Sequence, residues 1–204
     1  MILKIFAENP ASRHIKKLTE AFNEGEVIIS PTDTVYALAG DLYQPKVFEK
    51  MELIKGGRKA KKDFSIIVSN ISMLSEYTKP LDNSIFRLIK RNTPGAFTFI
   101  LEANSSVPKL FQSKKKTIGI RIPDNKLLTE IVETLGHPLV TTSIHDDDII
   151  VDYTTDPHLI HDKYAKKVAW VVDGGTGKNE GSTIVDCTGS EPVILRQGIG
   201  VLKD

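Results

Sequence analysis

Residues 27–40 read VIISPTDTVYALAG, an apolar run that stops at Pro31 and is followed directly by polar side chains. A short run of β-branched residues that ends at a proline is typical of a strand and its end. Ligands of α/β proteins bind where strands end at the carboxyl edge of the sheet. The threonine, aspartate and tyrosine side chains of residues 32–36 are therefore candidate ligand contacts.

Similar β-rich runs recur along the chain, and segments with apolar residues three and four positions apart lie between them. The runs predict strands, and the spaced segments predict helices packed on a sheet. Predicted strands cover residues 27–30, 65–68, 97–101, 117–122, 139–143, 169–173, 182–186 and 193–196. Predicted helices cover residues 15–22, 47–54, 85–89 and 127–135, with Gly136 as the C-cap of the last one. Because the strands at 97–101 and 117–122 are joined by a loop, we expect a mixed sheet in one α/β domain spanning residues 1–204.

The composition is that of an ordinary soluble domain, since 40% of the 204 residues are apolar and 26% are charged. The 27 basic and 26 acidic residues leave a net charge of +1, which argues against a protein that coats polyanions with its whole surface. The single cysteine, Cys187, cannot form an internal disulfide or a multi-thiolate zinc site. No apolar run approaches the ~20 residues of a membrane span, so we expect a cytoplasmic protein that makes no membrane contact.

Charged and glycine-rich clusters are the remaining local features. Basic residues gather at Lys55, Arg58, Lys59, Lys61 and Lys62, at Lys90 and Arg91, and at Lys114, Lys115 and Lys116. Residues 173–177 lie between two predicted strands, which favours a loop or hairpin over a phosphate cradle. The five histidines form no metal-binding motif, His158 and His161 are most simply a helix-surface pair, and residues 146–148 favour a solvated loop over a divalent-ion site.

Seven stretches occur in the order and spacing of the YrdC/YciO family. They are PTDTVY at 31–36, the Lys55/Arg58 pair, TPGAFT at 93–98, TIGIRIP at 117–123, TTS at 141–143, STIVD at 182–186 and LRQG at 195–198. The chain resembles this family over residues 10–200. The resemblance implies a twisted open sheet with flanking helices and a concave basic cavity. It also implies an enzyme that joins L-threonine, bicarbonate and ATP into threonylcarbamoyl-AMP and releases pyrophosphate, for the threonylcarbamoyl modification of adenosine 37 in tRNA.

The resemblance assigns roles residue by residue. Positions that match threonine contacts are Thr34, Tyr36, Arg121 and Ser182, with Arg121 suited to the threonine carboxylate. Positions that match ATP contacts are Lys55, Arg58, Thr117, Ser143 and Arg196, whose cations suit the phosphates. No protein nucleophile is implied, because positioning and charge neutralisation would supply the catalysis. Mg²⁺ is expected to accompany ATP, and whether the protein ligates a metal is left open.

Three departures make the chain more similar to the YciO-like branch than to the YrdC-like branch. The basic pair is Lys55-Gly-Gly-Arg58 in place of Lys-x-Arg-Pro, His145 stands where asparagine usually follows Ser143, and DFS at 63–65 replaces Asn-Pro-Leu. Two alternatives therefore remain beside the synthase. One is a related enzyme that acts on the same adenylate, and the other is a protein that binds tRNA or double-stranded RNA without chemistry. Expected RNA contacts are Lys59, Lys61, Lys62, Lys114, Lys115 and Lys116.

Overall fold

The computed structural model describes residues 1–56, 64–144 and 154–203. Within these ranges the chain forms ten strands and six helices. The strands are β1 (Ile2–Lys4), β2 (Ile28–Ser30), β3 (Ala37–Asp41), β4 (Ser65–Ile67), β5 (Phe97–Glu102), β6 (Thr117–Arg121), β7 (Leu139–Ser143), β8 (Trp170–Asp173), β9 (Thr183–Asp186) and β10 (Val193–Arg196). The helices are α1 (Ser12–Asn23), α2 (Pro45–Ile54), α3 (Ile71–Tyr77), α4 (Asn83–Asn92), α5 (Lys126–Leu135) and α6 (Pro157–Tyr164).

All ten strands belong to one open mixed sheet with the order β1-β8-β2-β3-β7-β4-β6-β5-β9-β10. Strands β5 and β6 are antiparallel neighbours, as the loop between them predicts. The sheet contains both parallel pairs, such as β4 with β6 and β5 with β9, and antiparallel pairs, such as β4 with β7. The predicted mixed α/β sheet is therefore confirmed.

All eight strands predicted from the apolar runs are present, and Gly136 ends α5 in the left-handed conformation with φ of 75°. Strands β1 and β3 were not predicted. Strand β3 was missed because its sequence ALAGD contains no β-branched or aromatic residue. Its small side chains are required by packing, since a Cβ added at Gly40 would lie 2.5 Å from Cγ1 of Val47 on α2. Tight packing against a helix thus overrides strand propensity in β3.

Successive residues of the strands face two different apolar cores, as the pleat requires. Ile66 and Val140 join the larger core on one face with helices α2, α3, α4 and α6. Ile67 and Leu139 join the smaller core on the other face with α1 and α5. Among the described residues, the smaller core contains no side chain from β5, β6 or β9. Helices α1 and α5 therefore cover only part of the second face.

The uncovered part of that face carries small and polar residues, which we call the polar face. Its members are Ser65, Thr98, Thr117, Gly119, Arg121, Thr141, Ser143 and Ser182. They alternate along the strands with residues of the larger core, such as Ile118 and Ile120. A sheet face without apolar cover is a place where a polar ligand can bind, so this face positions the site.

Candidate functional site

The centre of the polar face is an ion pair between Arg121, at the end of β6, and Asp33, in the loop after β2. Nη2 of Arg121 donates to Oδ1 of Asp33 at 2.6 Å and to Oγ1 of Thr34 at 3.1 Å. The backbone N–H of Asp124 donates to Oδ2 of Asp33 at 3.2 Å. The two paired side chains are only 8% and 7% exposed. The polar stretch after β2 thus folds back to meet a strand that lies 88 residues further along the chain.

Arg121 keeps one buried donor without a partner. Its Nε atom is buried and donates to no acceptor among the described residues. Burial lowers the pKa of Arg121, the Asp33 carboxylate opposes this shift, and the charge of Arg196 adds to it. A buried donor without an acceptor is costly, whereas an anion placed at Nε would remove that cost. Arg121 is therefore oriented by Asp33 and Thr34 and still has an edge with which to bind a ligand.

The loop that carries Thr34 is held by its own hydroxyl groups. Oγ1 of Thr32 accepts the N–H of Thr34 at 3.0 Å and donates to the carbonyl oxygen of Val35 at 2.8 Å. The Thr32 and Thr34 hydroxyls also lie within 3.1 Å of each other. This small hydrogen-bonded turn fixes the Thr34 hydroxyl beside Arg121.

Two pairs of hydroxyl groups flank Gly119 on the polar face. The Ser65 and Thr141 hydroxyls are 3.1 Å apart, and the Thr98 and Ser182 hydroxyls are 2.7 Å apart. A Cβ at Gly119 would lie 2.9 Å from Cγ2 of Thr98 and 3.2 Å from Cβ of Ser65. Only glycine leaves room for both pairs. The result is a row of hydroxyls across strands β7, β4, β5 and the start of β9, next to Arg121.

Residues 174–181, which we call the crossing loop, connect β8 to β9. These strands are not neighbours in the sheet, so the segment is a loop and not a hairpin. Four of its backbone N–H groups are occupied, because Gly174 donates to the Tyr36 hydroxyl, Gly175 to Asp173, Gly177 to Thr155 and Lys178 to Thr34. A phosphate cradle needs free N–H groups that converge on the anion. The loop interpretation of residues 173–177 is the one that fits.

Tyr36 holds the crossing loop in place through two hydrogen bonds. Its side chain is fully buried, its hydroxyl donates to the carbonyl oxygen of Gly175 at 2.7 Å, and it accepts the N–H of Gly174 at 3.2 Å. Burial raises the pKa of Tyr36 to about 12, and the N–H of Gly174 opposes the shift. Tyr36 therefore has no surface exposed towards a ligand in this structure, and its predicted contact with threonine stays a prediction.

The residues predicted to contact ATP divide between two places. Nζ of Lys55, just after α2, donates to the carbonyl oxygen of Ser143 at 3.1 Å. Thr117 begins β6 and shares a 2.7 Å hydrogen bond with Ser113. Arg196 lies elsewhere, because its Nη2 donates to the carbonyl oxygen of Ser182 at 2.8 Å.

Strand β6 sets the distance between the predicted threonine and ATP contacts. Thr117 is its first residue and Arg121 its last, which places their Cα atoms roughly 13 Å apart at the usual rise of a strand. Ser182 and Thr34 lie at the Arg121 end, so the structure brings three predicted threonine contacts together there. Asp33 and Thr98 complete this group. Asp33 was among the candidate ligand contacts of residues 32–36, and Thr98 belongs to the TPGAFT stretch, but the family resemblance gave neither residue a role.

Several predicted residues lie outside the described parts of the chain. These are Arg58, Lys59, Lys61, Lys62 and His145, together with residues 146–148. The predicted basic cavity therefore stays a prediction. Lys114, Lys115 and Lys116 form an exposed turn just before β6. In the described ranges, no three His, Cys, Asp or Glu side chains are grouped so that they could hold a metal ion, and no helix has the length and apolar character to cross a membrane.

Comparison with known proteins assigns the family. The model of the Sua5/YciO/YrdC family, whose description is "Telomere recombination", matches residues 20–198. The chain belongs to this family. Escherichia coli "Uncharacterized protein YciO" is 36% identical over 201 residues, which are 98% of this chain and 96% of that protein. The crystal structure of Escherichia coli YciO superposes with a TM-score of 0.90 at 34% identity and covers 98% of this chain and 97% of that one.

Relatives named as threonylcarbamoyl-AMP synthases share less sequence identity with this chain. The Bacillus subtilis threonylcarbamoyl-AMP synthase is 30% identical over 192 residues, which are 93% of this chain and 54% of that protein. The crystal structure of Pyrococcus abyssi Sua5 complexed with L-threonine has a TM-score of 0.85 at 24% identity, and covers 97% of this chain and 57% of that one. This likeness establishes a shared Sua5/YciO/YrdC fold.

Proposed function

We propose that this protein is an ATP-dependent L-threonylcarbamoyladenylate synthase. It would convert L-threonine, bicarbonate and ATP to threonylcarbamoyl-AMP and pyrophosphate in the cytoplasm, for modification of adenosine 37 in tRNA. The observation that carries the proposal is the buried Nε of Arg121, which lacks a partner among the described residues and lies in the guanidinium that Asp33 and Thr34 orient. The name of the Bacillus subtilis relative and the threonine bound to Pyrococcus abyssi Sua5 support the choice of amino acid.

Threonine would bind at the Arg121 end of the polar face. Its carboxylate would accept from the free edge of the guanidinium, which is a charge-assisted hydrogen bond. The hydroxyl groups of Thr34 and Ser182 would contact the rest of the amino acid. Because these groups are fixed by hydrogen bonds before the ligand arrives, little ordering is needed on binding.

ATP would extend towards the Thr117 end of β6, where Lys55 and Ser143 lie. Mg²⁺ is expected to arrive bound to the nucleotide, because magnesium usually keeps phosphate oxygens and waters as ligands. Threonine and bicarbonate would first combine into the carbamate of threonine. A carbamate oxygen would then attack the α-phosphorus of ATP, and the bond to the bridging oxygen of pyrophosphate would break. Cations around the phosphates would stabilise the charge on the leaving group.

The direct test is pyrophosphate release measured with L-threonine, bicarbonate and ATP, omitting each in turn. Release should require all three, because the carbamate must form before it can attack ATP. Arg121→Ala should raise the threonine requirement at least tenfold and change the ATP requirement much less, since a hydrogen bond to a charged group contributes about 1.5 to 3 kcal/mol. The exposed Arg87→Ala on α4 is the matched control. Release that is unchanged without threonine would rule out the synthase.

A second candidate function is binding of double-stranded RNA or tRNA. It is favoured by the three consecutive exposed lysines at 114–116, which sit in a turn before β6. Such binding would depend on phosphate contacts and helix shape.

A further inference from the structure

Lys178 of the crossing loop is a cation beside the proposed threonine site that no motif assigned. Its Nζ atom donates to the carbonyl oxygen of Asp33 at 2.9 Å, and its backbone N–H donates to the carbonyl oxygen of Thr34 at 3.3 Å. Its side chain is exposed, and no carboxylate among the described residues pairs with it. The ammonium group of Lys178 therefore keeps N–H donors for a ligand and a charge that no described carboxylate neutralises. It lies against the backbone of Asp33, the partner of Arg121.

The charges at this end of the polar face show why another cation is needed. Arg121 and Asp33 are both buried and 2.6 Å apart, so their charges largely cancel. The carbamate of L-threonine carries two negative charges, one on its carboxylate and one on the carbamate group. Arg121 can donate to one of them through Nε, but Asp33 remains beside it. A doubly charged ligand therefore requires positive charge beyond this pair. Arg196, whose charge already acts on Arg121, and Lys178 can both supply it.

We propose that Lys178 binds the second anionic group of the substrate, the carbamate, and so makes the site selective for an N-carboxylated amino acid. The proposal rests on the proposed function of the site. The crossing loop is fixed from both sides, by Tyr36 beneath Gly174 and Gly175 and by the Lys178 N–H on Thr34. This anchoring holds the base of the Lys178 side chain while leaving its ammonium group accessible. The Asp33–Thr34 segment would then contact both the bound ligand and the crossing loop.

The test compares two stable analogues by titration calorimetry. N-oxalyl-L-threonine carries both negative charges, whereas N-acetyl-L-threonine has the same carboxylate without the second charge. The wild-type protein should bind the oxalyl compound more tightly. Lys178→Gln, which keeps an N–H donor for the Asp33 carbonyl but removes the charge, should weaken oxalyl binding about fivefold, the upper range for an exposed ion pair. It should leave acetyl binding nearly unchanged, and Lys178→Arg should keep the preference.

Lys166→Gln, which removes an exposed lysine just after α6, is the matched control and should behave as wild type. Equal weakening of both analogues by Lys178→Gln would show that Lys178 acts only by holding the loop, and the proposal would be wrong. Unchanged binding of both would also overturn it, while leaving the proposed function standing. A wild-type protein that binds neither analogue nor L-threonine would overturn the proposed function and the Lys178 assignment together.

Discussion

Arg121 and Asp33 depend on each other because neither has enough contact with water to replace a lost partner. Their side chains are 8% and 7% exposed, and the 2.6 Å hydrogen bond joins them directly. The pair adds little to stability, since two buried charges gain little over two apolar groups of the same volume. Removing one partner alone is the costly change, because it leaves the other buried and uncompensated.

Asp33→Ala should therefore destabilise the protein by about 3 kcal/mol in urea unfolding, the usual cost of breaking a buried ion pair. The double variant that combines Asp33→Ala with Arg121→Met should lose less stability than the two single variants lose together. The size of that difference measures the coupling of the pair. Additive losses would mean that the two side chains do not interact in solution.

Tyr36 predicts how stability depends on alkaline pH. Burial raises its pKa from 10.0 to about 12. Between these values the unfolded chain loses the phenol proton while the folded chain keeps it, so stability present below pH 10 is lost as the pH rises to 12. Over this range, the free energy of unfolding of Tyr36→Phe should fall by about 2 to 3 kcal/mol less than that of the wild-type protein. The check is urea unfolding of both proteins at pH 8, 10 and 11.5. Identical pH profiles would contradict the buried, hydrogen-bonded phenol.

At the scale of elements, β6 joins the two ends of the candidate site, and Gly119 at its centre keeps the hydroxyl pairs in place. Gly119→Ala should cost about 1 to 3 kcal/mol by overpacking, because its Cβ would lie 2.9 Å from Thr98 and 3.2 Å from Ser65. Threonine binding should weaken with it, as Thr98 and Ser182 are pushed from their positions. Gly189→Ala is the control, since its nearest neighbour would be 3.7 Å away. Urea unfolding and calorimetry measure the two effects. Equal stability of Gly119→Ala and Gly189→Ala would contradict the tight packing around Gly119.

The elements also show which parts of the fold follow from local sequence. Apolar runs predicted eight of the strands because their β-branched residues are buried on the sheet. Strand β3 was not predicted because its alanines and Gly40 are small residues that fit against helix α2 and do not favour a strand. Motifs predicted that Thr34, Arg121 and Ser182 share a site. The Arg121–Asp33 bond and the Lys178 contacts could not be predicted, since chain reversal in the loops brings together residues 88 and 145 positions apart.

For the whole molecule, the net charge of +1 means that binding of a polyanion depends on where the lysines lie. The exposed turn at 114–116 adjoins Thr117, at the end of β6 opposite Arg121. The lysine turn is thus separated from Arg121 by the length of β6, and the charges of Arg121 and Asp33 are buried and paired with each other. This separation allows the two candidate functions to be tested independently.

Replacing Lys114, Lys115 and Lys116 together by glutamine should weaken binding of tRNA and double-stranded RNA and leave pyrophosphate release unchanged. We expect the wild-type protein to bind RNA in the micromolar range or weaker, and to lose affinity steeply with added salt, because phosphate contacts release counterions. The triple variant should show a shallower salt dependence by gel shift or fluorescence anisotropy. The matched control replaces Lys163, Lys166 and Lys167, which are exposed at the end of α6 and just beyond it. Loss of pyrophosphate release with unchanged RNA affinity would show that the turn belongs to the nucleotide site.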